Sequence, residues 1–264
     1  MFFGSAYPDP IVLQAGAFGI HWYSLLLVVA IGAGLLVTLH VARKKNIPET
    51  AIWDFSFLAV ILSIVFGRFV FVVSYLHSFS SLVETVKVWE GGISSHGVLT
   101  GGLLAAFLTM RRHKMSFWAF TDVVIPGAAL AQAIGRWGNY FNQEVLGSPS
   151  NAWWAVPIDL AHRPEAFMQA LYFHPIWLYE SLWCLLLFFC VYSFQKKFTP
   201  HPGVVTLMYF SLYYLIRFVL DFFRNDALSF GALTGTQTIA IGVWIVAVVF
   251  VVLTKRRSEP STTQ

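Results

Sequence analysis

The sequence predicts an all-α integral membrane protein of seven transmembrane helices, with its N-terminus outside and its C-terminus cytoplasmic. Three observations carry that expectation. Apolar residues make up 57% of the chain and charged residues only 11%, whereas soluble domains carry charges at about 25% of positions; the mean hydropathy is +0.67. Seven stretches are long or apolar enough to approach the length of a bilayer-spanning helix, about 20 residues. The basic residues form short clusters beside these stretches, which is how membrane topology is encoded. The same clustering argues against nucleic acid as the partner of a chain with net charge +4, because no phosphate-tracking groove is outlined.

The first stretch is Trp22–Val41, and no basic segment precedes it, so a cleaved signal peptide is not expected. Trp53–Tyr75 is the second. The third, His96–Met110, is short and is entered through Gly91-Gly92-Ile93-Ser94-Ser95-His96-Gly97. The fourth, Phe117–Gly135, holds Asp122, Pro126 and Gln132, and Pro126-Gly127 is expected to bend it, since proline removes a ladder donor and crowds the preceding turn. Roughly Arg136 to His174 then forms the longest connection, carrying Trp153-Trp154 as aromatic-belt residues of an outer interfacial segment. Pro175–Phe194, Val204–Phe223 and Thr238–Thr254 complete the set. Residues 1–257 therefore read as one polytopic transmembrane domain, with the interfacial segment at about 136–174, and 258–264 as a disordered cytoplasmic tail. Cys184 and Cys190 lie six apart on different faces of one apolar run, which suits buried apolar side chains rather than a disulfide or a metal site. No cofactor is implied.

Arg43-Lys44-Lys45, Arg111-Arg112-His113-Lys114, Lys196-Lys197 and Lys255-Arg256-Arg257 each follow an odd-numbered stretch and hold eleven of the 17 Lys and Arg residues. These loops are cytoplasmic under the positive-inside rule. The other six, Arg68, Lys87, Arg136, Arg163, Arg217 and Arg224, then fall in outer loops or outer halves of spans, with His96, Asn139, Asn142, Glu144, Glu180 and Asp221. Ionisable groups at membrane depth are costly and pair or face water, so this outer level is the candidate site. Tyr213, Arg217, Asp221 and Arg224, at i, i+4, i+8 and i+11, make one stripe in which Arg217–Asp221 and Asp221–Arg224 can pair along the helix. In Gly135-Arg136-Trp137-Gly138-Asn139-Tyr140-Phe141-Asn142-Gln143-Glu144, a continued helix would put Arg136, Asn139 and Gln143 on one face; alternatively the glycines release the backbone or let a ligand approach. Glu180, one turn into the fifth stretch, requires a cationic partner.

Together these segments resemble prolipoprotein diacylglyceryl transferases, bacterial cytoplasmic-membrane enzymes. The resemblance rests on His21-Trp22-Tyr23, Gly-Gly-x-x-x-His-Gly ending at Gly97, Gly-Arg-x-Gly-Asn-x-x-Asn-x-Glu from Gly135 to Glu144, His-Pro-x-x-Leu-Tyr-Glu from His174 to Glu180, and Arg217-Phe218 through Phe222-Phe223-Arg224. It implies transfer of the diacylglyceryl group of phosphatidylglycerol to the lipobox cysteine thiol of a preprolipoprotein signal peptide, forming a thioether and releasing glycerol phosphate. It also implies an inner-membrane enzyme with its site at the outer leaflet, and a nucleophile supplied by the substrate. By resemblance Arg136, Arg217 and His96 are the catalytic candidates: Arg136 as the phospholipid-binding arginine, Arg217 as the second essential arginine, His96 as the proposed base. Tyr23, Asn139, Glu144, Glu180, Asp221 and Arg224 join Arg136 as substrate-binding candidates. His96 could accept the thiol proton; equally, it could position a loop while the arginines lower the thiol pKa from its ordinary value of about 8.5. Two departures stand out: His96-Gly97-Val98 replaces the usual His-Gly-Gly, and Asp221 stands where a glutamate is common.

The alternative is a small-anion transporter lined by the outer-half arginines, but such a pathway needs ionisable residues through the membrane depth, and the inner halves offer little beyond Asp54 and Asp122. An intramembrane protease would need a serine–histidine or aspartate pair, and no G-x-S-G signal is present. A non-catalytic scaffold leaves the buried charges unexplained.

Overall fold

Among the described residues seven long helices stand where the seven apolar stretches were expected; most ends lie outward by several residues, while α7 stops earlier, at Leu220. The computed structural model describes residues 2–4, 7–15, 18–198, 201–224, 229–230 and 233–258; beyond Ser258 the tail lies outside the described residues. The helices are α1 (Trp22–Lys44), α2 (Glu49–Ser74), a short α3 (Leu82–Val86), α4 (Ser95–His113), α5 (Phe117–Phe141), α6 (Ile176–Lys197), α7 (Val204–Leu220) and α8 (Gly235–Ser258). Five segments are long and apolar enough to cross a membrane: α1, α2, α5, α6, and α7 with the 3-10 turn that follows it to Phe223. A shorter apolar run, Gly235–Phe250, lies in α8. Outward-facing residues on these helices are large and apolar, among them Val28, Leu36, Phe57, Phe69, Phe189 and Val248. Helices that are greasy on their outer surface as well as inside belong in lipid, where the helix satisfies every backbone polar group internally. The protein is a helical membrane protein.

Two compact units divide the chain, residues 35–123 and the remainder, with α1 and α5 running from one into the other. In the 35–123 unit, α4 lies directly on α2. Gly97, Gly101, Ala105 and Thr109 recur every four residues along α4 and are all buried. A Cβ added at Gly97 would sit 2.2 Å from the Phe66 carbonyl oxygen, and one at Gly101 would sit 2.3 Å from that of Leu62. This is the small-xxx-small contact by which membrane helices approach backbone to backbone. Ser63 Oγ donates to the Val98 carbonyl across the same seam (3.0 Å). Val98 therefore extends the α2 contact, its side chain meeting the face of Gly67. At the opposite end of α4, Lys114 closes the helix in the left-handed region, and His113 Nε2 lies 2.8 Å from Asp54 Oδ2.

In the second unit, α5, α6 and α7 pack around Ile125, Ala129, Leu187, Val191, Val205 and Tyr209. Contrary to the expected end at Gly135, α5 continues to Phe141, and it runs through Pro126 as one helix. Past that proline the Gly127 carbonyl lies against Gly34 of α1, where a Cβ would sit 2.8 Å away. The connection after α5 is built on a second core of Val156, Ile158, Phe173 and Trp177, with β3 (Val156–Pro157) paired to β4 (Tyr172–Phe173). An N-terminal hairpin, β1 (Ile11–Ala15) with β2 (Phe18–His21), feeds α1, and β5 (Ser229–Phe230) with β6 (Leu233–Thr234) precedes α8.

Candidate active site

Glu180 lies one turn into α6 and is wholly buried. Its two oxygens face different arginines. Arg136 of α5 brings Nη2 to 2.5 Å from Oε2, and Arg217 of α7 donates from Nη1 to Oε1. Arg136 Nη2 also reaches the Tyr213 hydroxyl at 3.3 Å, while its buried Nε has no hydrogen-bond partner among the described residues. One turn earlier in α5 and α7, the Tyr209 hydroxyl donates to Gln132 Oε1, and the Tyr209 and Tyr213 rings stack 5.9 Å apart. Ser181 Oγ donates to the Ala133 carbonyl (2.7 Å) and Trp183 Nε1 to that of Leu212 (2.9 Å), fixing α6 against both neighbours. Two guanidinium groups share one carboxylate, so the cluster keeps one positive charge among packed helices. A chemistry that develops negative charge on an oxygen is what such a fixed cationic site stabilises.

The profile of the family described as prolipoprotein diacylglyceryl transferase matches residues 10–253. The chain belongs to the prolipoprotein diacylglyceryl transferase family. It is similar to proteins named phosphatidylglycerol–prolipoprotein diacylglyceryl transferase from several bacteria. That of Synechococcus elongatus is 38% identical over 93% of this chain and 86% of its own. That of Acaryochloris marina is 36% identical over 97% and 95%, and that of Thermotoga maritima 35% over 94% and 86%.

The other candidate positions of this transferase sort into three groups. Next to Arg136 on α5, Gly138 takes the ring of Tyr23, and a Cβ there would lie 2.6 Å from Tyr23 Cδ2. That glycine thus admits a side chain of the same protein. Asn139 Nδ2 donates to Glu144 Oε1 at 2.8 Å and Asn142 Nδ2 at 3.3 Å, while the Glu144 amide returns to the Asn139 carbonyl at 3.0 Å. The two asparagines hold the exposed Glu144. Gln143 does not share the face of Arg136 and Asn139: it leaves the helix with φ 54°, and its Oε1 accepts from the Asp159 amide (2.7 Å).

The second group departs from the expected stripe on α7. Arg217 reaches across to Glu180 instead of pairing with Asp221, four residues on. Leu220 ends the α-helix, Asp221–Phe223 tighten into a 3-10 turn, and Asp221 accepts a bond from Thr234 Oγ1. Arg224 follows in extended backbone, so the i+11 relation that put it on the stripe no longer holds. A carboxylate that desolvates completely needs a nearby cation, and Glu180 is the deeper of the two acids. Sequence spacing missed this because it sees only partners on the same helix. It also missed Tyr209, although that residue continues the Tyr213–Arg217 stripe by one turn.

His96 forms the third group alone. It is the second residue of α4, in the other unit, exposed, with no ring hydrogen bond among the described residues. Arg68 stands apart as well: it is buried in the 35–123 unit and engages main-chain carbonyls there.

Proposed function

We propose that the chain transfers the diacylglyceryl group of phosphatidylglycerol to the lipobox cysteine thiol of preprolipoproteins, releasing glycerol phosphate, at the outer leaflet of a bacterial inner membrane. The observation that carries this reading is the Arg136–Glu180–Arg217 cluster, two half-buried arginines on one fully buried carboxylate. It retains one positive charge, matching the single negative charge of a phosphodiester, and Arg136 Nε is a buried donor with no acceptor among the described residues. Leaving such a donor unmatched costs about 1–3 kcal/mol, which a phosphate oxygen would recover. A planar guanidinium also matches phosphate geometry.

In this reading the substrate thiolate attacks the glycerol carbon that bears the phosphate. The S–C bond forms, the C–O bond breaks, and the electron pair leaves on the phosphate oxygen beside Arg136 and Arg217. His96 takes the thiol proton. Tyr23, Asn139 and Glu144 flank the headgroup, and Glu180 orients the two arginines; Asp221 with Arg224 borders the entrance. Seven spans with the N-terminus outside put all these residues on the outer side, supported by the basic loops after α1, α4, α6 and α8.

The test is direct. Purified protein with phosphatidylglycerol and a lipobox peptide is expected to yield a diacylglyceryl thioether and free glycerol phosphate. Arg136→Ala is expected to lower turnover at least about 100-fold, the scale of losing a charge-stabilising donor, while Glu180 stays paired to Arg217 and the protein stays folded. Anion flux through folded protein without transfer would favour a transporter instead.

A further inference from the structure

Arg68 is a buried arginine with no acidic partner among the described residues. Its side chain rises from the outer end of α2 into the connection 75–94. There Nε donates to the Thr85 carbonyl (2.7 Å), Nη2 to that of Glu84 (2.6 Å), and Nη1 to those of Gly91 (2.6 Å) and Gly92 (3.1 Å). The rings of Phe71 and Phe79 lie 5.6 and 5.5 Å from its Cζ. Four of the five N–H donors are thus spent on main-chain oxygens and the charge rests against two π-faces, an arrangement that stabilises a desolvated guanidinium. With its donors occupied, Arg68 is poorly placed to bind phosphate.

The Gly91-Gly92 pair is shaped for this contact. Both residues have positive φ, 89° and 78°, which turns two successive carbonyls toward one nitrogen. A Cβ on Gly92 would lie 2.8 Å from Arg68 Nη1 and 2.4 Å from Phe71 Cε1. Directly after this turn, the Ser94 amide donates to the carbonyl of Gly67, the residue before Arg68 (3.0 Å), and α4 begins with Ser95 and His96. From Ser81 the chain is also held locally: Ser81 Oγ caps the Glu84 amide, and Glu84 Oε2 accepts from the Ser80 amide (2.9 Å).

We propose that Arg68 is a positioning residue: by gathering the Glu84, Thr85, Gly91 and Gly92 carbonyls it fixes the entry to α4 and so the placement of His96. It touches no reacting atom. The role in turnover rests on the transferase reading above, in which His96 takes the thiol proton.

The experiment uses full-length protein in phosphatidylglycerol-containing nanodiscs, comparing wild type, Arg68→Lys, Arg68→Ala and Gly92→Ala. Hydrogen exchange by mass spectrometry reads residues 84–96 without reference to activity, and steady-state transfer gives kcat and KM. Faster exchange over 84–96, with α2 and the rest of α4 still protected, is expected in all three variants. A kcat reduced at least tenfold with KM for phosphatidylglycerol within twofold should accompany it. Added guanidinium, but not methylammonium at equal ionic strength, should restore both readouts in Arg68→Ala. Arg68→Lys covers the case in which Arg68→Ala does not fold, since lysine keeps the charge but cannot span four carbonyls. Unchanged exchange over 84–96 would overturn the proposal, as would faster exchange with normal kcat. A raised KM with normal kcat would also overturn it, by making Arg68 a lipid ligand. If wild type itself transfers nothing, the transferase reading fails and the positioning role with it, while the exchange data still report separately on the carbonyl clamp.

Discussion

Complete burial of Glu180 would be prohibitive for a lone carboxylate, and the two arginines make it tolerable by facing one oxygen each. The reverse dependence is stronger: one carboxylate serves two cations. Removing Arg136 leaves Glu180 with Arg217, whereas removing the charge of Glu180 leaves two guanidinium groups repelling each other among apolar helices. Breaking a buried pair by deleting one partner costs about 3–5 kcal/mol. Glu180→Gln is therefore expected to fall at the upper part of that range and Arg136→Gln below it, measured as the lowering of the thermal unfolding midpoint in one detergent. Equal stability of Glu180→Gln and wild type would show that the carboxylate does not hold the arginines. The sequence makes Glu180 legible as an acid in want of a cation, but not which cation. Arg217 has Asp221 at the ideal i+4 spacing, and only the packing of α6 against α7, together with the end of α7 at Leu220, sends it elsewhere.

Among the elements, α4 is the one that composition describes least well and packing explains best. Its glycines, serine and threonines lower its hydropathy, so it does not stand among the five clearly spanning segments. Those same residues form the stripe Gly97, Gly101, Ala105 and Thr109 against α2, and the stripe was readable in sequence as a four-residue recurrence of small side chains. The contact makes a paired prediction. At Gly101 a Cβ meets the Leu62 carbonyl at 2.3 Å, while at neighbouring Gly102 the nearest atom is Ser63 Oγ at 3.9 Å. Gly101→Ala is expected to reduce folded protein in the membrane several-fold, because backbone, not a movable side chain, is in the way; overpacking of this kind costs about 1–3 kcal/mol. Gly102→Ala should accumulate normally. Quantifying monodisperse protein by fluorescence-detected size exclusion checks both, and matching yields would mean that α4 does not ride on α2 so closely. The opposite error occurs at α5, where Gly135 and Gly138 look like a helix end. The helix continues because Gly138 is filled from outside by the Tyr23 ring, a contact with a residue more than a hundred positions away.

At the scale of the whole molecule, charge parity predicts how many helices cross. If α4 did not span, the loop at Arg111–Lys114 would lie on the outer side with the connection before it, and Lys196-Lys197 would follow it there. If α8 did not span, Lys255-Arg256-Arg257 would lie outside. With the five clearly spanning segments crossing, only the addition of both α4 and α8 puts all four basic clusters on one side, and each exported cluster would oppose the positive-inside bias. The helices fit that count: α4 has 19 residues and α8 has 24, lengths of about 28 and 36 Å at 1.5 Å per residue, against a hydrocarbon core of about 30 Å. Reporter fusions test it at four points. A fluorescent protein that folds only in the cytoplasm should glow when fused after Lys114 or Lys197, and alkaline phosphatase, active only outside, should work when fused after Ser80 or Asn151. Fusions at Ser80 and Lys114 flank α4, so reporters that place both sites on the same side would remove α4 as a span. With the N-terminus outside, the Arg136, Glu180 and Arg217 ends would then all lie on the cytoplasmic side, and an outer-leaflet lipid site would lose its geometric basis.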